Sequence, residues 1–176
     1  MLAIKRLTVK ELEKEAANLL VGEKILLSGE VFTARDAAHK KMAEEIKNTG
    51  KCVLPDGAAI YYAGPSEAPK GLAVGSCGPT TSSRMDAFSP KMIELGFKVM
   101  IGKGKRSEEV ISAIKKHKGL YLLAVGGAGA VAAKHITNCE VFAYSELGTE
   151  SIKKLTLKDF PLFVGITPSG ENIFKN

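Results

Sequence analysis

Tryptophan is absent from this sequence, and aromatic residues of any kind make up only 6% of its 176 residues. A chain so poor in rings offers few platforms on which bases can stack, which argues against nucleic-acid binding although the formal net charge is +6. The lysines are spread along amphipathic segments and read as solvated faces. Cysteine is scarce as well. Cys52, Cys77 and Cys139 are odd in number, widely spaced and without a Cys-x-x-Cys pair, which argues against a disulfide framework or a zinc site and predicts three reduced thiols. No apolar run approaches the ~20 residues of a bilayer span, so no membrane partner is expected. The opening "MLAIKRLTVKELEKEA" turns charged too early for a secretory signal, and the expected location is the cytoplasm. Repeats, low-complexity tracts and linker-like stretches are missing too, so the expectation is one domain over residues 1–176. A chain of that size buries roughly 70% of the surface its unfolded form exposes, enough for a core of its own.

What is present is an alternation of strand and helix signals after an N-terminal helix. Thr8 with Glu11 three residues on is a capping-box pattern opening "VKELEKEAANLL", and predicts a helix over 9–20 that ends before Gly22. "KILLSGEVF" reads as a strand with a glycine break. Thr33 with Asp36 predicts a cap for the helix "ARDAAHKKMAEEIKN", stopped by Gly50. Strand signals follow at "AAIYYAG" and "KGLAVG", and Ser89-Pro90 opens a short helix to Gly96. Beyond it, "FKVMIG", "LYLLAVG" and "EVFAY" read as strands, and "SEEVISAIKKHK" and "AGAVAAKHI" as helices. The last stretch, "SIKKLTLKDFPLFVGIT", reads as two strands without a helix between them. The predicted class is α/β, a single layer-packed domain with a β-rich C-terminal tail.

The densest chemistry lies in "GSCGPTTSSRMD" at 75–86. Gly75, Gly78, Pro79, Thr80, Thr81, Ser82 and Ser83 follow a strand signal and offer backbone N–H groups and hydroxyls at close approach, the makings of an anion cradle. Arg84 adds a planar fork that meets a carboxylate in two parallel hydrogen bonds, and Asp86 reads as a partner for Arg84 or for backbone. Arg35 falls in the first turn of the predicted second helix, where free N–H groups and the helix dipole favour an anion. Lys103 stands between Gly102 and Gly104 just past a strand, at the carboxyl end where open α/β sheets bind ligands. A composition-only reading makes each of these a solvated charge. Three cations at loop or helix starts beside a hydroxyl cradle point instead to a small anionic substrate.

The motifs "TARDAAHKKM" at 33–42, "GPTTSSRMD" at 78–86, "IGKG" at 101–104 and "ELGTESI" at 146–152 resemble the beta subunit of class I fumarate hydratase and the related beta subunit of L-tartrate dehydratase, from about residue 7 to the C-terminus. That resemblance implies a swivelling β/β/α domain and an iron–sulfur hydro-lyase that interconverts fumarate and malate in the tricarboxylic acid cycle, with tartrate as the alternative substrate. It implies a hetro-oligomer in which a partner alpha subunit carries a [4Fe–4S] cluster, while this chain binds no cofactor or metal of its own. It places Arg35, Thr80, Arg84 and Lys103 against a small dicarboxylate, with Thr80 and Arg84 catalytic, Thr80 as proton-handling base or as orienter. Cys52, Cys77 and Cys139 are then not cluster ligands.

A different class of function competes with this one. Gly127, Gly129 and Ala132 form a G-x-G-x-x-A pattern between a strand and a helix, with Glu146 about twenty residues on, as in a dinucleotide fingerprint. It comes late in the chain, whereas such a fingerprint belongs to the first strand–turn–helix of its unit. Among the histidines, His117 and His135 read as helix-end residues. His39 lies four residues after Arg35 and shares its helical face, as a core residue or as an orienter of the site.

Overall fold

The computed structural model describes residues 4–174. Its strands are β1 (Lys5–Thr8), β2 (Lys24–Thr33), β3 (Ile60–Tyr61), β4 (Val99–Gly102), β5 (Leu120–Leu123), β6 (Ile136–Ala143) and β7 (Ile152–Ile166). The helices are α1 (Val9–Glu15), α2 (Asp36–Thr49), α3 (Ser89–Glu94), α4 (Glu108–His117) and α5 (Gly129–Ala133). β1 to β5 run parallel in the order β1-β2-β3-β4-β5. β7 runs antiparallel and pairs with β6 over residues 152–157, with β2 over residues 154–163 and with β5 over residues 163–166. The double pairing of β7 closes β2, β3, β4, β5 and β7 into a five-stranded barrel, with β1 and β6 as flanking strands.

Strand side chains alternate between two faces, and here each face has its own core. Tyr61, Ile101 and Leu122 point into the barrel with Leu27, Val31, Leu155 and Val164. Their sequence neighbours Ile60, Met100 and Tyr121 point outward against Met42 of α2, Ile93 of α3 and Ile114 of α4. α1 sends Leu12 into the interior cluster, which also takes Ala132 and Ala133 of α5. Among the described residues no helix is long and apolar enough to cross a membrane.

Several local expectations need correction. The helix expected over 9–20 ends at Glu15 and continues as a single 3₁₀ turn, Ala16–Asn18, because Leu19 adopts an extended backbone. Its capping box is present, with Thr8 N donating to Glu11 Oε2 at 2.7 Å. The strand before it, β1, carries no hydrophobic run. It forms because β2 offers an open parallel edge. Thr33 does not cap α2. It is fully buried, and its hydroxyl accepts from Lys153 N at 3.0 Å and donates to Ser151 O, so β7 has taken it before the helix starts. Arg35 is therefore the N-cap residue, not a first-turn residue, while Gly50 ends the helix at φ 71° as expected.

"KGLAVG" is no strand. Gly71 turns at φ +85°, and the segment folds back so that Ser66 N donates to Ser76 O and Gly75 N to Ser66 O. Gly75 lies so close to Ser66 and Glu67 that a Cβ there would stand 2.4 Å from the Glu67 carbonyl oxygen. Of "AAIYYAG" only Ile60 and Tyr61 form strand. The two tail strands are one continuous β7 with a kink at Asp159, at φ 50°. Asp159 N donates to Ser28 Oγ opposite it, where the β2 register slips between Leu27 and Gly29. That slip is the glycine break anticipated in β2.

Candidate functional site

The carboxyl ends of β2 to β5 converge on one end of the barrel, and the cradle crosses them. Arg35 follows β2, Gly64 follows β3, Lys103 follows β4 and Gly126 follows β5. Pro79 makes a bridge to Ala63 and Thr81 a bridge to Lys103, which lays residues 79–81 across the ends of β3 and β4. Between those bridges Thr80 N donates to Tyr62 O at 2.7 Å, so Thr80 is fixed through its backbone and left half-buried. Ser82 locks the next step. Its N–H donates to Lys103 O, its hydroxyl oxygen accepts from Lys103 N at 3.0 Å, and the Tyr121 hydroxyl lies 2.8 Å from it. The approach is so close that a Cβ on Gly102 would fall 2.0 Å from Ser82 Oγ and 2.8 Å from the Tyr62 ring. The Lys103 side chain in turn runs over Gly126, where a Cβ would come within 3.3 Å of its Cδ.

Arg84 and Arg35 approach from the side of α2. Arg84 Nε donates to Asp36 Oδ1 at 2.8 Å, and Asp36 Oδ2 lies 4.0 Å from Arg35 Nη2. Arg35 Nε stands 3.7 Å from Glu150 Oε1, and its side chain packs closely on Gly64, where a Cβ would lie 3.1 Å from Arg35 Cδ and 3.3 Å from Nη1. Burial works to raise the Asp36 pKa. The Arg84 hydrogen bond, its own backbone N–H and the two arginine charges more than offset this and lower it. Arg35, Thr80, Arg84 and Lys103 are thus gathered at one end of the barrel, with Arg84 half exposed at 54%.

The sequence reading missed Arg106. Its side chain is completely buried: Nε donates to Asp86 Oδ1 at 2.7 Å, Nη2 donates to Ser89 Oγ at 2.6 Å, and the guanidinium lies over the rings of Tyr62 and Tyr121. Burial opposes its charge, but Tyr62, Asp86 and Tyr121 around it keep its pKa raised. Asp86 is therefore the partner of Arg106 and of Ser107 N, not of Arg84. This pair ties the turn that carries Arg84 to the loop that carries Lys103. Nothing in "GKGKRSEEV" sets this arginine apart from its exposed basic neighbours; only the folding back of residues 86–89 buries it.

His39 is 1% exposed, packed between Tyr62 and Phe88, with Nδ1 2.9 Å from Arg35 O. Burial, chiefly, lowers its pKa from 6.5 to about 4. The unfolded chain then binds a proton that the native protein does not accept between those values, so His39 contributes stability above pH 6.5 that is lost as pH falls toward 4. The loss should reach about 3 kcal/mol by that point. In urea titrations from pH 7 to 4, His39→Gln is expected to flatten this slope; an unchanged slope assigns the acid sensitivity to other groups.

Of the glycines in the dinucleotide-like pattern, Gly129 serves packing, whereas Gly127 makes a turn at φ 77° with no neighbour within 4 Å of a Cβ. Gly129 O accepts from Cys77 N, and a Cβ on Gly129 would lie 2.1 Å from Ser76 Oγ and 3.1 Å from Gly78 N, so the glycine lets the cradle sit against α5. β7 lies between β5 and β6 and runs antiparallel to both, so these strands are not neighbours as in a nucleotide-binding unit. Glu146 pairs with Lys41. The thiols are also dispersed. Cys77 faces the barrel interior, where burial pushes it up to about 12, Cys139 packs at the margin of that core, and Cys52 lies in the outer layer near Met42. Among the described residues no three His, Cys, Asp or Glu side chains are grouped to hold a metal ion, so the donor set here does not fit an iron–sulfur cluster.

A family model described as Fumarase C-terminus matches residues 2–176. The chain belongs to that family. It is 38% identical over 170 residues to "Fumarate hydratase class I, aerobic" of Escherichia coli (strain K12), covering 95% of this chain and 31% of that protein. It is 36% identical over 171 residues to "Fumarate hydratase 2" of Leishmania major, covering 94% and 30%. It is 33% identical over 174 residues to "L(+)-tartrate dehydratase subunit beta" of Escherichia coli (strain K12), covering 96% and 86%. The chain thus spans about a third of the length of these fumarate hydratases and most of the tartrate dehydratase subunit.

Proposed function

We propose that residues 1–176 form the swivelling β/β/α domain of a class I fumarate hydratase, acting in the cytoplasm as the beta partner of a cluster-bearing alpha subunit and closing over a dicarboxylate held between them. The observation that carries this reading is the convergence of Arg35, Thr80, Arg84 and Lys103 at the carboxyl ends of β2 to β4. Dehydrating a 2-hydroxy dicarboxylate means removing a proton beside a carboxylate, which loads that carboxylate with extra negative charge. Cations placed in advance stabilise this charge with little reorganisation during the reaction: Asp36 orients Arg84, Arg35 lies beside Gly64 and Glu150, and the Ser82 lock fixes the backbone from which Lys103 projects. Thr80 is the candidate for handling the proton. When bound, the partner's [4Fe–4S] cluster would supply Lewis-acid chemistry at the substrate hydroxyl.

The test is to purify this protein with a candidate alpha chain anaerobically and assay fumarate hydration and tartrate dehydration, with each chain alone as control. Fumarate turnover that needs both chains supports the reading, and turnover by this chain alone sinks it. The 86% coverage of the tartrate dehydratase subunit favours L-tartrate as the second reading, decided by the same assay.

Arg84→Lys keeps the charge and loses the fork. In the assembled enzyme it is expected to lower kcat/KM about ten- to a hundredfold with an unchanged unfolding midpoint. Wild-type kinetics would remove Arg84 from the site.

A further inference from the structure

Among the described residues, the buried side-chain polar atoms without a hydrogen-bond partner are Arg35 Nε, Asp36 Oδ2, His39 Nε2 and Glu150 Oε1. Buried polar atoms are normally paired, and these four gather around the start of α2. Asp36 lies at the middle of the group. One of its oxygens accepts from Arg84 Nε at 2.8 Å and the other, without a hydrogen bond, faces Arg35 Nη2 at 4.0 Å, so a single carboxylate lies between the two guanidiniums. An arginine whose Nε is taken presents its two terminal nitrogens end-on, the edge that forks a carboxylate. Arg84 is 54% exposed, and untethered it would surrender much of its rotamer freedom on meeting a ligand.

We infer that Asp36 is a positioning residue: it orients Arg84 through Nε, sets the spacing between the Arg84 and Arg35 forks, and thereby fits the site to a ligand with two carboxylates in preference to one. This rests on the dicarboxylate reading of the site given above. Charge alone predicts the opposite of positioning. A carboxylate beside two arginines repels an anion, so removing it should tighten anion binding. Positioning requires that its removal weaken the binding of a dicarboxylate in spite of the added positive charge.

The experiment compares Asp36→Ala and Asp36→Asn in the assembled two-chain enzyme. Asp36→Ala is expected to raise KM for L-malate about tenfold, the worth of roughly one charge-assisted hydrogen bond. Inhibition by L-lactate, which has one carboxylate, should change less than about threefold. Asp36→Asn should recover most of the malate loss, because its amide oxygen can still accept from Arg84 Nε. An Asp36→Ala enzyme with an equal or lower KM for malate overturns the role.

A second readout needs no turnover. In arginine side-chain nitrogen spectra of this protein, the Arg84 Nε–H signal, assigned by its loss in Arg84→Lys, should be protected from solvent exchange in wild type and Asp36→Asn but not in Asp36→Ala. An Arg84 signal indifferent to Asp36→Ala refutes the tether. If the wild-type assembly turns over neither malate nor tartrate, the dicarboxylate reading falls instead, while the tether still stands or falls on the exchange measurement.

Discussion

Arg106→Met is expected to destabilise the protein by about 3–5 kcal/mol, the cost of removing one partner from a buried charge pair. The substitution roughly preserves side-chain volume, so little of the loss comes from a cavity. It strands Asp86, whose side chain is only 12% exposed, with Ser107 N as its remaining partner, and it takes the Arg106 donor from Ser89. Against a total stability of roughly 5–15 kcal/mol for a domain of this kind, that is a large share. Urea unfolding measures it directly. Adding Asp86→Asn to Arg106→Met should recover part of the loss, because the stranded charge is gone; Asp86→Asn alone serves if the first variant does not fold. A change below about 1 kcal/mol would mean that the pair is worth no more than an exposed one. Because the same pair fixes the Arg84 turn against the Lys103 loop, variants that do fold should also bind anions less well.

The contrast between Arg106 and the other basic residues shows what could be read without coordinates. Arg35, Arg84 and Lys103 stand beside turn residues and helix starts, and those local signals survive in the folded protein because they depend on only a few neighbouring residues. The Asp86–Arg106 pair spans 20 positions and exists only once the Ser82–Met85 turn has packed on β4 and β5. Thr33 shows the same limit from the other direction. Its spacing to Asp36 is a valid cap signal, yet β7 arrives from 120 residues away to claim the hydroxyl. Likewise the helix and strand alternation was legible as periodicity, whereas barrel closure was not, since it depends on which edges β7 meets. Gly29, readable as a break in the β2 pattern, falls at a register slip of the β2–β7 pairing, where a strand curling around a barrel can bend.

In the two-chain fumarate hydratase proposed above, Thr80→Ala should separate a proton-transfer role from an orienting one. A positioned general base contributes about 10²- to 10⁴-fold, so loss of a base should lower kcat for fumarate hydration, and solvent proton exchange at the malate methylene, by that factor together. Loss of an orienter should cost about tenfold or less, the worth of one hydrogen bond, and leave exchange in step with substrate occupancy. The fold is not at stake. Thr80 is secured by its backbone N–H on Tyr62 O, which alanine keeps, and the flanking bridges at Pro79 and Thr81 are also backbone contacts. A threonine hydroxyl gives up its proton only under strong positive potential, which two arginines and a lysine at this end of the barrel supply, though Asp36 and Glu150 offset part of it. Thr80→Ser, which retains a hydroxyl at the same anchor, should therefore keep most of the activity under either role. A Thr80→Ala enzyme whose kcat and exchange rate both stay within about tenfold of wild type removes Thr80 as the base.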